Sequence, residues 1–143
     1  REYKKNTCNL DFVASSILTI FFEVNHFAVS QPEAIQNAAT RMAESYKNLI
    51  IQHVQEKHKL SYYAGLLSVT PEYLNRCVKT TYGKTSKDLL NEIIVLEAKV
   101  LLKQSSLSIG EIAYKLQDKS PSDFIRFFKS KTGMTPKEYR LKV

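Results

Sequence analysis

Arg76 and Lys79 recur fifty residues later as Arg126 and Lys129, and Asn75 and Ser122 accompany them. Arginine can pair bidentately with guanine and asparagine with adenine, whereas lysine is a point charge suited to phosphate. At helical spacing the apolar neighbours fall on a different side. Leu74, Cys77, Val78 and Thr81 share one face, as do Phe124, Phe127, Phe128 and the stem of Lys131. A helix that is apolar inward and Arg/Asn-bearing outward suits the major groove of double-stranded DNA. Catalysis finds no such support, because no Ser/His/Asp, Cys/His or paired-carboxylate constellation and no phosphate-cradling glycine loop can be assembled. Cys8 and Cys77 lie far apart without ligand spacing, which argues against a zinc site and a disulfide-stapled scaffold. His53 falls at the edge of an apolar stripe and reads as a core or boundary histidine. The chain is therefore read as non-enzymatic, without cofactor or metal, and suited to a reducing cytoplasm.

The elements that must present these residues show as an internal repeat. A shift of 50 pairs Thr70-Pro71 with Ser120-Pro121, Leu74 with Phe124, Val78 with Phe128, Gly83 with Gly133 and Thr85 with Thr135. Upstream the shift is 49, pairing Ala64 with Ala113 and Leu67 with Leu116. Two copies are too few for a solenoid, so a duplicated supersecondary unit is expected. In the first unit Tyr62 to Leu67 is a short helix, Ser68-Val69 a turn, Thr70 the N-cap, Pro71 the first helical residue and Gly83 the terminator. In the second, Ile109 to Leu116 precedes Gln117-Asp118-Lys119, with Ser120, Pro121 and Gly133 in the matching roles. This is helix-turn-helix punctuation twice over. Ser86 to Gln104 is expected to form a connecting helix with Leu89, Leu90, Ile93, Leu96, Val100 and Leu101 toward the core.

Length and charge fit this reading. With 143 residues, 43% hydrophobic and 24% charged, the chain has the composition of one globular domain of ordinary size. Residues 1–46 carry four Lys/Arg against five Asp/Glu, a balance of −1, which leaves +8 for residues 47–143. Such a block suggests a polyanionic partner, nucleic acid first and an acidic membrane surface second. The apolar run from Leu10 to Val29 is interrupted by Asp11, Glu23, Asn25 and His26, so no membrane span is expected. At a period of 3.6 it is instead an amphipathic helix, with Ile17, Ile20, Phe21 and Val24 as a candidate dimerisation seam. A start at Arg1 reads as a piece cut from something longer. Ser30-Gln31-Pro32 opens a second helix whose apolar positions, Ala39, Met42, Ala43, Tyr46, Leu49, Ile50, His53 and Val54, run to about Lys57.

Several runs, Ala98-Lys99-Val100-Leu101-Leu102, Ser108-Ile109-Gly110-Glu111-Ile112-Ala113, Phe124-Ile125-Arg126-Phe127-Phe128-Lys129 and Thr132-Gly133-Met134-Thr135-Pro136-Lys137-Glu138-Tyr139-Arg140, resemble the C-terminal signature of the AraC-type bacterial transcription factors. The resemblance covers about Tyr46 to Arg140. It implies an all-α fold, with two helix-turn-helix units joined by a long connecting helix and preceded by one or two amphipathic helices. It also implies a division into a helical tail of a sensor or dimerisation region, 1–44, and a DNA-binding domain, 45–143. Carried over to this chain, the base-edge readers are Glu72, Asn75, Arg76, Ser122, Ile125 and Arg126, and the phosphate contacts are Lys79, Thr85, Lys129 and Thr135. Glu72 accepts from cytosine in this scheme or simply complements the helix dipole. Ile125 touches a thymine methyl or is an exposed apolar residue. Cys77 reads as a packed small hydrophobe. Operator DNA, RNA polymerase and a second copy of the chain are the implied partners.

Two departures from the family pattern stand out. Leu116 is followed by Gln117-Asp118 where the family usually carries Gly-Phe, and Val100 stands where many relatives carry arginine. The first is expected to weaken the second unit's reading relative to that of Asn75 and Arg76. The rival reading is a helical protein-interaction module in which the basic block only solubilises.

Overall fold

The computed structural model describes residues 33–117 and 120–142. The segment holding Ile17, Ile20, Phe21 and Val24 lies outside the described residues, as do Asp118 and Lys119. The chain divides into two units, Arg1–Ala38 and Ala39–Val143. Of the first, residues 33–38 are described and are helical. The second is helical throughout its described elements: α1 (residues 39–53 of this unit), α2 Leu60–Leu66, α3 Pro71–Tyr82, α4 Ser86–Gln104, α5 Ile109–Gln117, α6 Pro121–Thr132 and α7 Pro136–Lys142.

Local chemistry sets the boundaries. Thr70 and Ser120 have extended backbones and accept hydrogen bonds from the Tyr73 and Asp123 amides, with Pro71 and Pro121 next in the first turn. Gly83 (φ 68°) and Gly133 (φ 80°) end α3 and α6 in the left-handed conformation that glycine adopts without a Cβ penalty. α1 stops short of Lys57, because the Glu56 and Lys57 amides both turn back onto the His53 carbonyl. Val54 nevertheless stays buried. Between α2 and α3 the Ser68 amide donates to the Gly65 carbonyl and the Val69 amide to that of Ala64, the double closure of a Schellman turn. Ser68 takes the left-handed position there at φ 55°, the one non-glycine residue to do so among those described.

One core joins the elements. Tyr46, Ile50, Tyr63, Leu74, Ile94, Leu102, Ile112, Leu116, Phe124 and Phe128 are all buried within it. The Tyr46 hydroxyl donates to the Ser86 carbonyl at 2.9 Å and the Tyr63 hydroxyl to that of Lys57 at 2.7 Å, so neither phenol is buried unsatisfied. Burial raises both phenols above their ordinary pKa, Tyr63 to about 12.

The connecting helix departs from the expected face. Ser86, Leu89, Leu90 and Ile93 are buried in its first half and Ile94, Val95, Ala98 and Leu102 in its second. At roughly 100° per residue, the buried stripe therefore swings by on the order of 140° about the helix axis. Leu96 and Val100 continue the row of Leu89 and Ile93 after burial has moved to the other side, and they are 58% and 43% exposed. They are surface residues, not core. A single period cannot describe a helix that packs on different neighbours at its two ends.

The left-handed Ser68 yields a stability test. Ser68→Gly is expected to raise unfolding free energy by about 0.5–1 kcal/mol, whereas the β-branched Ser68→Val costs about 1–2 kcal/mol. Urea melts of the two variants check both signs.

Candidate nucleic-acid interface

α3 buries Leu74, Cys77 and Val78 and leaves Glu72, Arg76 and Lys79 exposed. α6 buries Phe124 and Phe128 and leaves Ser122, Arg126 and Lys129 exposed, with Ile125 half-buried. Thus each second helix of a unit turns its arginine and lysine outward on the face opposite its core contacts. The repeat extends to how the helix is held, by a Ser or Thr cap, a proline and a left-handed glycine.

Asn75 has a second task. Its Oδ1 accepts from the Ser86 amide at 2.9 Å, tying α3 to the first turn of α4. That engages the acceptor of the amide and leaves its NH2 group for an outside partner. Arg76 lies with its guanidinium carbon 5.4 Å from the centroid of the Tyr73 ring. Tyr73 in turn engages the Cys77 thiol one helical turn on, which pushes its phenol above the ordinary value. Arg126 is held differently, with Nη2 donating to Asp123 Oδ1 at 2.6 Å.

Thr85 and Thr135 open α4 and α7, and both hydroxyls are already in use. Thr85 Oγ1 accepts from the Asp88 amide at 3.0 Å and donates to the Asp88 carboxylate at 2.6 Å. Thr135 Oγ1 accepts from the Glu138 amide at 3.2 Å, and Glu138 Oε2 accepts from the Thr135 amide at 2.7 Å. Ser108 with Glu111 repeats the reciprocal pattern at α5. These are capping boxes, and the Ser/Thr-x-x-Asp/Glu spacing that marks them is visible in the sequence. The negative charge favoured at these helix starts is thus supplied by the chain's own carboxylates.

Neither Tyr73 nor Asp123 stands out in the sequence pattern, although each lies three residues before an arginine. Nor does the pattern give a role to Arg140, whose Nε donates to the Leu102 carbonyl at 3.1 Å and whose Nη2 donates to that of Leu107 at 2.7 Å. This guanidinium fastens α7 across the end of α4 and the loop leading to α5. Lys99 and Lys103 approach the Tyr139 ring at 5.8 and 6.0 Å beside it. Among the described residues no cluster of His, Cys, Asp or Glu could hold a metal ion, and no helix is long and apolar enough to cross a membrane.

The capping carboxylates predict an acid response. Hydrogen bonds from Thr85 lower the pKa of Asp88, those from Ser108 lower that of Glu111 and those from Thr135 lower that of Glu138. A carboxyl whose folded pKa is depressed contributes stability that is complete above its unfolded pKa and is lost as pH falls through the folded one. The urea midpoint should hold above about pH 5 and drop below about pH 4, the unfolded carboxylate range. In the Asp88→Asn/Glu111→Gln/Glu138→Gln variant the drop should be shallower; an identical acid profile would show that other groups govern it.

A family model described as a helix-turn-helix domain matches residues 63–142. The HTH-type transcriptional regulator YisR of Bacillus subtilis is 30% identical over 112 residues, which cover 77% of this chain and 39% of YisR. GlxA of Rhizobium meliloti, another HTH-type transcriptional regulator, is 34% identical over 125 residues, covering 80% of this chain and 38% of its own length. The chain thus spans about two fifths of the length of YisR and of GlxA. Among solved structures, the C-terminal domain of AraT, a response regulator from Geobacillus stearothermophilus, superposes with a TM-score of 0.66 at 30% identity over 71% of this chain and 85% of that one. An AraC-type regulator from Chromobacterium violaceum shares the fold, with a TM-score of 0.65 at 23% identity over 80% of this chain and 95% of that one.

Proposed function

The chain belongs to the AraC-type helix-turn-helix family, and from that premise we propose that it is the DNA-reading part of a transcriptional regulator, in which α3 and α6 enter two successive major grooves of one duplex. The observation that carries this reading is the outward placement of Arg76 with Lys79 and of Arg126 with Lys129 on equivalent capped helices. The 19-residue α4 between them is roughly 28 Å long at 1.5 Å per residue, close to the ~34 Å turn of B-DNA.

Arg76 and Arg126 read base edges in this scheme, with Glu72, Ser122, Ile125 and the NH2 group of Asn75 beside them. Lys79 and Lys129 contact phosphate. Thr85, whose hydroxyl both accepts and donates within its cap, serves phosphate by placing the start of α4 along the backbone, whereas Thr135, whose Oγ1 accepts from the Glu138 amide, keeps its O–H to donate to phosphate. Residues 1–44 belong to the tail of a sensor or dimerisation region, with Ile17, Ile20, Phe21 and Val24 as its self-association seam. A regulator of this kind works in the cytoplasm with RNA polymerase as a further partner, and it is not an enzyme. The exposed Leu96 and Val100 favour some protein contact, which the rival reading would make the main function. Salt dependence separates the two, because neutralising several phosphates must make affinity fall steeply with salt.

Arg76→Ala is expected to cost about 1–3 kcal/mol on the preferred site and to relax preference at one position, while Lys79→Ala weakens all sequences alike and lowers the salt slope by about one. Titrations on specific and random duplexes check this; identical behaviour of the two variants would remove Arg76 from the base edge. A single chain should also protect an asymmetric site of two short elements about 10 base pairs apart. Inserting about five base pairs puts the elements on opposite faces of the duplex and should reduce binding to that of one unit. Unchanged affinity on the spaced site would mean that one helix alone engages DNA.

A further inference from the structure

Five helices of Ala39–Val143 begin on a Ser or Thr: α3 at Thr70, α4 at Thr85, α5 at Ser108, α6 at Ser120 and α7 at Thr135. In the last four the residue three places on is an acid, Asp88, Glu111, Asp123 or Glu138, which closes the box and meets the positive end of the helix. α3 departs, carrying Tyr73 at that place. The departure falls on one of the two reading helices, and at the position one turn before its arginine.

The consequence for the two arginines is unequal. Guanidinium has five N–H donors and no acceptor. Asp123 is itself fixed, since its Oδ2 accepts from Ser120 Oγ at 2.7 Å and its amide donates back at 3.2 Å, and its Oδ1 takes a donor of Arg126. To pair with guanine, Arg126 must share or leave that carboxylate, whose charge also repels phosphate and the O6 and N7 acceptors of the base. A ring face instead attracts the guanidinium without consuming an N–H, so Arg76 over Tyr73 keeps its donors for DNA. Arg126 is 78% exposed, so its ion pair is screened and the handicap modest.

We infer that the residue three places before each reading arginine determines how strongly that arginine reads, with Asp123 restraining Arg126 and Tyr73 leaving Arg76 free to bond, so that Asp123 is a specificity-determining residue of the second unit. This rests on the two-groove reading and assigns it an asymmetry built into side chains rather than into the turn before α6.

The test is Asp123→Asn, which keeps the size of the side chain and the backbone half of the cap. Measured on the full chain with a two-element duplex, it should tighten binding about two- to fivefold, the range of an exposed ion pair, and steepen the salt slope by about one unit. The gain should be clearly smaller when Arg126→Ala is also present, where only the relief of phosphate repulsion remains. The reciprocal exchange, Tyr73→Asp, supplies the missing acid of the capping box in α3, and it should weaken binding more while Arg76 is present than with Arg76→Ala, once a urea melt shows that the variant is folded. No gain from Asp123→Asn, a loss, or a gain of equal size without Arg126 overturns the inference. Arg126→Ala measured alone reports on the second groove of the two-groove reading, so no gain from Asp123→Asn with the Arg126 dependence intact is a failed tether, whereas no dependence on Arg126 is a failed reading.

Discussion

A helix that must bury itself against two units at once governs the rest of this structure. α4 runs as one uninterrupted helix from Ser86 to Gln104 and meets its two neighbours by rotating its apolar stripe, from Leu89, Leu90 and Ile93 to Val95, Ala98 and Leu102. Its two ends are then fastened from opposite directions along the chain. Asn75 and Tyr46 bond to Ser86 at one end, and Arg140 reaches the Leu102 carbonyl at the other. Each of these bonds closes on backbone, so the attachment does not depend on the identity of the α4 residue that receives it. The relative placement of α3 and α6 follows from α4 and these fastenings.

Around that helix, short-range rules supply the remaining precision. A Ser or Thr cap fixes where each of α3 to α7 begins, and a left-handed glycine fixes where α3 and α6 end. With start and stop set, the rotation of every side chain about its helix is set as well, since one residue of slip turns a face by roughly 100°. Phe124 and Phe128 inward therefore entails Arg126 and Lys129 outward. The same arithmetic in α3 puts Leu74 and Val78 inside and Arg76 outside.

This coupling makes duplication useful for reading a long polymer. A duplex repeats its groove every turn, and two units held about one turn apart on one chain can follow it without a second copy. In the proposed reading, charge in the basic block supplies attraction that does not depend on sequence, while the exposed arginines supply discrimination. The two units are not equal copies in this respect, because the side chain beside each arginine differs, an aromatic ring in α3 and a carboxylate in α6.

Much of this was legible in the residues alone, and the division follows the range of the forces involved. Caps, first-turn prolines, terminal glycines and the bounds of α4 arise from interactions spanning about four residues, so Thr70, Pro71, Gly83, Ser120, Gly133 and the Ser86 to Gln104 helix could be placed without a fold. The repeat and its outward arginines followed from the same local period. The tertiary structure decided which side of α4 is buried at each point, and it put Leu96 and Val100 on the surface although their spacing matches a core row. It also decided that Asn75 bonds the Ser86 amide, eleven residues away, and that Arg140 holds carbonyls more than thirty residues back. The tethers on Arg76 and Arg126 needed side-chain geometry, although their i, i+3 spacing lies in plain view. A helical period states which residues share a face; only the neighbours brought there by the folded chain decide what that face meets.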